Sequence, residues 1–568
     1  MSTSDINEQT IETRTCKKCA KSFDITDLDQ KYYDKMDVPR PTLCPTCRSQ
    51  RRTLQTNQYN LFKRKCDATG EEIITNFPPD SEYKVYSQEY WYGDKYDGTK
   101  FGRDFDFNRP FFEQFDELSK EAPRPALFTD FIRNQNSDYT NFAGKNKNCY
   151  LIFDSDENQD CLYCFGTNST RSCLDQDRVQ QMELSYECLD SKNCYNCSYL
   201  YDCENCSDSV LLKNCIGVKH SIFCSNIKNK EYHVFNEPVS KERYEEIMKE
   251  FGSYKYLQHK IGEFNKFRLK FPQKYMRGFQ NENCTGNYLV QCKNAIMCFD
   301  SLKVWDGKYC DRTFISGKDL MDCTEVGESQ LVYESNVIAF SGYNIRFSNN
   351  CVNSCHDLDY CEFCSHCEKC FGCVGLKKKK FCIFNKQYTE EQYNELKQRI
   401  IEHMRAPASA GVGKKTQEWG EFFPGWTSPH AYNLSLAMIY FPLEKEEILK
   451  SGFKYHEPDK REYLKQTYTI PDHIKDVPDT IVDEILACEI CGKNYKINDR
   501  ELKFYHRQNL PIPKECFICR HLRRLRMKNP RVLYDRNCEK CHAEIKTTFA
   551  PDRPEIIYCE DCYQQSLT

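Results

Sequence analysis

Residues 488–519 read CEICGKNYKINDRELKFYHRQNLPIPKECFIC, and residues 16–47 read CKKCAKSFDITDLDQKYYDKMDVPRPTLCPTC. Each stretch carries two Cys-x2-Cys pairs with 24 residues between them: Cys488 and Cys491 before Cys516 and Cys519, Cys16 and Cys19 before Cys44 and Cys47. Sliding one stretch onto the other by 472 positions needs no gap. It also matches Phe23 with Tyr495, Tyr33 with Tyr505, Pro39 and Pro41 with Pro511 and Pro513, and Arg48, Arg51 and Arg52 with Arg520, Arg523 and Arg524. Two such pairs are how a small, loop-rich unit offers four thiolates to a tetrahedral zinc, whose bonds stand in for a missing core. Paired disulfides are the alternative use of the same cysteines.

The register runs on past both stretches, to Cys66 in one and Cys538 in the other. Cys538 opens a further four-thiol set with Cys541, Cys559 and Cys562. The positions that would complete a set with Cys66 hold Thr69, Ser87 and Tyr90, so this copy lacks its metal and is expected to persist on aromatic packing by Tyr83, Tyr86, Tyr90, Trp91 and Tyr92. The expected cofactor is Zn2+, at three structural sites.

The chain has 568 residues, enough for several domains each burying a core, and a formal charge of −4. That balance argues against indiscriminate coating by nucleic acid, so any such contact must be local. No apolar run is long enough to span a bilayer, and residues 1–15 are polar, without the apolar segment of a signal peptide; they are expected to form a loose tail and the chain to be cytoplasmic. In a reducing compartment 37 cysteines point to metal and buried thiols before disulfides.

Between Cys149 and Cys382 stand 24 cysteines. From Cys149 to Cys224, and again from Cys361 to Cys382, every interval is a multiple of three. Strand and helix repeats of 2 and 3.6 do not fit. A sustained repeat of three suggests a narrow solenoid in which short strands and corners return a small side chain to one interior line on each coil. Cysteine suits that line, being compact, apolar and weakly polar. The body also looks duplicated: CIGVKHSIFC at 215–224 answers CVGLKKKKFC at 373–382, and each is followed by Phe-Asn and a helix start at Ser240 or Thr389. Those helices are expected to close the open end of each half.

The predicted fold class is multidomain α+β, with treble-clef zinc-ribbon modules at both ends flanking a duplicated cysteine-lined β-solenoid with capping helices. The expected order is a treble-clef zinc ribbon at 1–57, a degenerate ribbon without metal at 58–92 and an aromatic docking segment at 93–140. Solenoid halves follow at 141–260 and 261–405. A linker and docking segment at 406–480, flexible at 406–413 and ending near a short helix at 481–486, leads to a treble-clef ribbon at 481–536 and a final ribbon at 537–568. The stretch FGRDFDFNRPFFEQF at 101–115 is read as docking onto the body; base stacking is disfavoured by its interspersed acids.

The helices after Cys47 and Cys519 are basic and free of acids, which makes Arg48, Arg51, Arg52, Arg520, Arg523, Arg524 and Arg526 candidates for contact with RNA, DNA or a nucleoprotein partner. A solvated helix face is the competing reading. Cys355, Cys361, Cys364, Cys367, Cys370 and Cys373, with His356 and His366 nearby, could hold an extra metal or do redox chemistry, or could be reduced structural thiols. Cys538, Cys541 and His542 spell CxxCH, but Cys559 and Cys562 complete a zinc set without haem. Lys377–Lys380 read as a solvated turn. No Walker loop, dinucleotide glycine pattern, GxSxG or HExxH occurs, so nothing marks the chain as an enzyme.

LCPTCRSQRR at 43–52, CDATG at 66–70, VYSQEYW at 85–91, GRDFDFNRPFFEQF at 102–115, NKQYTEEQY at 385–393, GEFFP at 420–424 and YFPL at 440–443 together resemble a family of large, cysteine-rich zinc-ribbon proteins of unknown function from uncultivated bacteria. The ends are similar to treble-clef domains of uncharacterised bacterial proteins. Members sometimes bear a CaiB/BaiF coenzyme A transferase label, which the residues here do not support. The reading is a non-enzymatic, zinc-stabilised binding or scaffold protein, with a nucleic-acid, nucleoprotein or protein partner and no membrane. The alternative is a thiol or metal redox protein using the central cysteines.

Overall fold

A computed structural model describes residues 8–405, 418–458 and 462–567. Two compact units divide them. The first takes in the described residues of Met1–Leu127, Met276–Glu457 and Lys546–Thr548; the second takes in those of Phe128–Tyr275, Pro458–Ile545 and Phe549–Thr568. Each unit thus joins segments far apart in the chain.

In the second unit, parallel bridges link residues twelve apart. One line of them runs through Gln135, Lys147, Gln159, Arg171, Glu183, Tyr195, Ser207, Lys219 and Glu231, and another through Phe153, Phe165, Asp177, Leu189 and Tyr201. Within a coil the bridging positions come every third residue, as at Lys147, Tyr150, Phe153 and Asp156. The residue after each bridge is left-handed, with φ of 54° at Asn148, 51° at Leu151, 53° at Asp154 and 60° at Glu157. A left-handed residue bends the chain sharply, so four three-residue sides return it to its starting line. Asn and Asp recur at these corners because their short polar side chains tolerate that conformation best after glycine. Backbone groups are used at every step: Tyr150 N–H donates to the Cys161 carbonyl on the next coil, and Tyr163 N–H donates back to the Tyr150 carbonyl, both at 3.0 Å.

The third residue of each side points inward, and every third residue from Cys149 to Ile227 is buried. The line is made of Cys, Ser, Thr, Asn, Gln, Val, Leu, Ile and Met. The thiols are hydrogen-bonded as well as packed: Cys161 Sγ lies 3.3 Å from the Gln159 carbonyl and 3.6 Å from that of Thr170 on the next coil. A serine in the same line makes the first of these contacts, as Ser185 does to Glu183 at 2.9 Å.

The first unit holds a second stack. Gly286 pairs with Cys298, and His356 with Glu368, at twelve-residue offsets, while Val304 pairs with Gly317 and Tyr343 with His356 at thirteen. Two of the longer coils take their extra residue at a corner, where two consecutive residues are left-handed, Phe340 with Ser341 and Asn353 with Ser354. These insertions are why the intervals from Cys323 to Cys351 and from Cys351 to Cys355 lose the multiple of three.

The helices expected after each stack are present as Lys241–Lys249 and Glu390–Arg405, and Ser240 caps the first through the Arg243 N–H. Their place differs from the expectation. The edge of each last coil is taken by a return strand: Glu237–Pro238 pairs with His233–Val234, and Lys386–Gln387 with Lys380–Ile383. With the edge already paired, the first helix lies along the side of its stack. Tyr244 touches His220 and Tyr232 and donates to the Asp208 carbonyl, three residues on successive coils.

Other expectations are revised. Thr10–Thr15 is a strand paired with Ser22–Thr26, so only residues 1–7 of the expected tail lie outside the described residues. The expected joint at 406–413 also lies outside them. A 3-10 turn at Asp479–Asp483 and a strand at Leu486–Ala487 stand where a helix was expected. The aromatic segment docks: Phe111 is fully buried against Phe371 and Tyr360, and Phe105 stacks on Phe384.

A single inward position tests this packing. Cys364→Ser retains a donor to the Glu362 carbonyl and should cost less than about 1.5 kcal/mol. Cys364→Leu, which forces carbon into a filled line, should cost about 1–3 kcal/mol. The midpoint of urea unfolding distinguishes the two.

Candidate metal centres

Cys16, Cys19, Cys44 and Cys47 bring their sulfurs within 4.8 Å of one another, and so do Cys488, Cys491, Cys516 and Cys519, and Cys538, Cys541, Cys559 and Cys562. In each, the first pair closes a tight turn and the second begins a helix. Cys44, Cys516 and Cys559 are the N-cap residues of helices Pro45–Thr53, Phe517–Leu525 and Glu560–Gln564. The turn ends on a left-handed residue, Ala20, Gly492 or His542. His542 therefore holds a corner of the turn and is exposed, which accounts for the CxxCH spelling without haem.

Sulfurs at the corners of a tetrahedron with Zn–S bonds of about 2.3 Å lie about 3.8 Å apart. Across the pairs the sulfurs stand 3.8 Å apart for Cys19 and Cys44, 3.8 Å for Cys491 and Cys516, and 3.7 Å for Cys541 and Cys559. Burial disfavours the thiolate of Cys488, but the N–H groups of Cys491, Cys516 and Ile490 outweigh it and lower the thiol to about 7. The N–H groups of Cys541, Cys559 and Lys540 likewise bring Cys538 to about 6. Four sulfurs at tetrahedral spacing with no open position make these three structural zinc sites.

The degenerate copy keeps its shape. Its strands Phe62–Lys65 and Glu72–Thr75 and helix Gln88–Tyr92 stand in register with Tyr534–Asn537, Glu544–Thr547 and Glu560–Gln564. Cys66 Sγ accepts the Ser87 N–H at 3.2 Å, as Cys538 Sγ accepts that of Cys559 at 3.3 Å. Trp91 stacks on Tyr96 beside it.

The arginines are placed otherwise than the sequence suggested. Arg48 and Arg52 are 1% and 0% exposed, and Arg520 and Arg524 are 2% and 0%. In the first unit Arg48 Nη2 meets Asp322 at 2.8 Å, Arg52 Nη1 meets the same carboxylate at 3.3 Å, and Arg51 pairs with Glu334 and, at 2.8 Å, with Glu421. In the second unit Arg520 meets Asp175 at 2.9 Å, Arg523 meets Glu187 at 2.8 Å, and Arg524 meets Glu187 at 3.0 Å and also pairs with Asp177. Burial works against the charge of Arg48, and Asp322 more than restores it. Burial likewise works against ionisation of Asp177, while His521 and Arg524 hold its carboxyl below the usual range. The phosphate contact expected of Arg48, Arg51, Arg52, Arg520, Arg523 and Arg524 is corrected accordingly: these guanidiniums bind carboxylates of the stacks. Arg526 alone of the seven is exposed.

The two sets of pairs match. Asp175 and Glu187 occupy adjacent coils at corner positions, and so do Asp322 and Glu334, 147 residues on. Tyr505 meets Tyr186 edge-on at 5.7 Å, and Tyr33 meets Tyr333 edge-on at 5.9 Å. The module near the N-terminus is thus docked on the later stack, and the C-terminal module on the earlier one. Sequence reasoning missed these acids; the signal was the repeat of Tyr-Glu at 186–187 and 333–334.

Cys355, Cys361, Cys364, Cys367, Cys370 and Cys373 are 0–1% exposed. Each thiol is shared between two carbonyls, as Cys367 is between Ser365 at 3.4 Å and Leu376 at 3.3 Å. Burial pushes Cys351 up to about 12 and Cys361 well above its ordinary range. His356 and His366 face outward and do not join them. Among the described residues these six do not form a metal-holding group.

A family model described as "Probable treble clef domain" matches residues 12–56. Comparison with curated proteins gives no match.

Asp322→Ala leaves two buried guanidiniums unpaired and should lower the stability of the full chain by about 3–5 kcal/mol in urea unfolding. Replacing Arg48 and Arg52 by Met in the same variant should restore part of that loss.

Proposed function

We propose that the protein is a non-enzymatic, zinc-stabilised binding scaffold: two rigid, cysteine-lined β-solenoids, each clasped by a treble-clef module. The observation that carries this reading is how its reactive groups are used. The twelve zinc-binding thiols grip metal, the inward thiols bond to backbone carbonyls, and six of the seven candidate arginines are occupied by stack carboxylates. Groups so engaged are poor nucleophiles, redox centres and phosphate ligands.

A partner contact must then use other surfaces, and a protein partner fits what is left. On the later stack, Phe279, Val290 and Leu302 succeed one another along one bridged line, and Phe314 follows on the next coil. Phe279, Val290 and Phe314 are 57%, 37% and 38% exposed, and Trp305 on the neighbouring side is 49% exposed. Apolar groups contiguous on a rigid face mark a contact surface more often than they occur by chance.

Thiol titration of the native, zinc-loaded chain checks the reading. Reagent should consume almost none of the central cysteines until denaturant is added. A subset of fast-reacting thiols among Cys355–Cys373 would instead favour the redox alternative.

A further inference from the structure

In the first unit the groove between the zinc module and the stack is closed by the chain itself. Trp419 lies over Arg346 at 5.2 Å, and Gly420 sits so close to Pro39 that a Cβ there would come within 2.2 Å of its ring. The Glu421 carboxylate accepts the N–H of Thr42 at 3.1 Å, its hydroxyl at 2.6 Å, and Nη1 of Arg51 at 2.8 Å.

The second unit has the same groove without the same filling. Shifted by 472 for the module and 147 for the stack, Pro39 becomes Pro511, Thr42 becomes Lys514, Arg51 becomes Arg523, Tyr333 becomes Tyr186 and Arg346 becomes Tyr199. These five counterparts line a cavity of about 90 Å³. Leu257 and Ile261 of the helix Tyr254–Phe267 form its apolar wall, and exposed Gln258 marks its mouth.

The donors that hold Glu421 in one unit are less fully engaged in the other, although Glu515 also lines the cavity. Lys514 N–H, the counterpart of Thr42 N–H, has no acceptor among the described residues. Arg523 keeps Glu187 on Nη2 at 2.8 Å and Glu515 on Nε at 3.0 Å, which leaves Nη1, the atom matching the one that binds Glu421, with a single contact of 3.3 Å. Tyr186 and Tyr199 are 2% and 5% exposed, yet neither hydroxyl has a hydrogen-bond partner among the described residues.

We propose that this cavity binds a small organic carboxylate with an apolar body. Its carboxylate would take Lys514 N–H and Arg523 Nη1, as Glu421 takes Thr42 and Arg51. Its body would lie among Tyr186, Tyr199, Leu257 and Ile261. An anion is favoured over a neutral isostere because charge-assisted hydrogen bonds are about twice as strong as neutral ones.

Calorimetry on the full-length, zinc-loaded chain tests this with phenylacetate and its neutral isostere phenylacetamide. Phenylacetate should bind at least about tenfold more tightly than the amide. Arg523 also docks the module, so the deciding variant is Ile261→Trp, which fills the cavity from the helix side. It should abolish phenylacetate binding while zinc content and the urea midpoint stay unchanged. Equal binding of acid and amide, binding that survives Ile261→Trp, or no heat from either probe at millimolar concentration would overturn the proposal.

Discussion

A corner in the left-handed region at every third residue is the constraint from which the rest follows. Such corners as Asn148, Leu151, Asp154 and Glu157 close a coil in twelve residues and leave its interior only four side chains. The core is consequently a narrow line, where aromatic residues are absent from Cys149 to Ile227 and an unbonded polar one is costly. Cysteine meets both demands, since its sulfur packs as an apolar atom while Cys161 still reaches carbonyls on two coils. The abundance of cysteine here thus has two separate causes, metal in the modules and coil diameter in the stacks.

The corners also set where a module can sit. A corner side chain projects outward, and the same corner on successive coils forms a column. Acids at two neighbouring places in such a column, Asp175 with Glu187 or Asp322 with Glu334, present carboxylates at the spacing of one coil to the next. The helix that begins at a zinc ligand carries arginines three and four apart, which places them on one face. Zinc fixes the helix and the helix aims the guanidiniums. Breaking the metal site therefore removes more than four bonds, because the buried arginines lose the geometry that makes their burial tolerable.

What the sequence disclosed was short-range or strictly periodic. The Cys-x2-Cys pairs and the 472-residue register located all three tetrathiolate groups, and the multiple-of-three intervals from Cys149 to Cys224 marked the coils. The rest was hidden for identifiable reasons. Coils of thirteen residues erased the interval rule around Cys323 and Cys351, because an added corner residue shifts every later position. The fate of the arginines was hidden because charge in a sequence carries no record of exposure, and the acid that neutralises Arg48 lies 274 residues away. The strand Thr10–Thr15 looked like a tail because its polar, mostly exposed residues bury little and are held by backbone pairing to Ser22–Thr26.

The crossed docking bears on how the polypeptide is made. Residues 12–56 leave the ribosome long before Asp322 and Glu334, so the first module must wait for its seat with basic side chains uncovered. The earlier stack faces the mirror-image delay, its acids Asp175 and Glu187 standing bare until residues 516–525 arrive. For much of translation the nascent chain would carry one cationic and one anionic surface whose proper partners do not yet exist, and each is a decoy for the other.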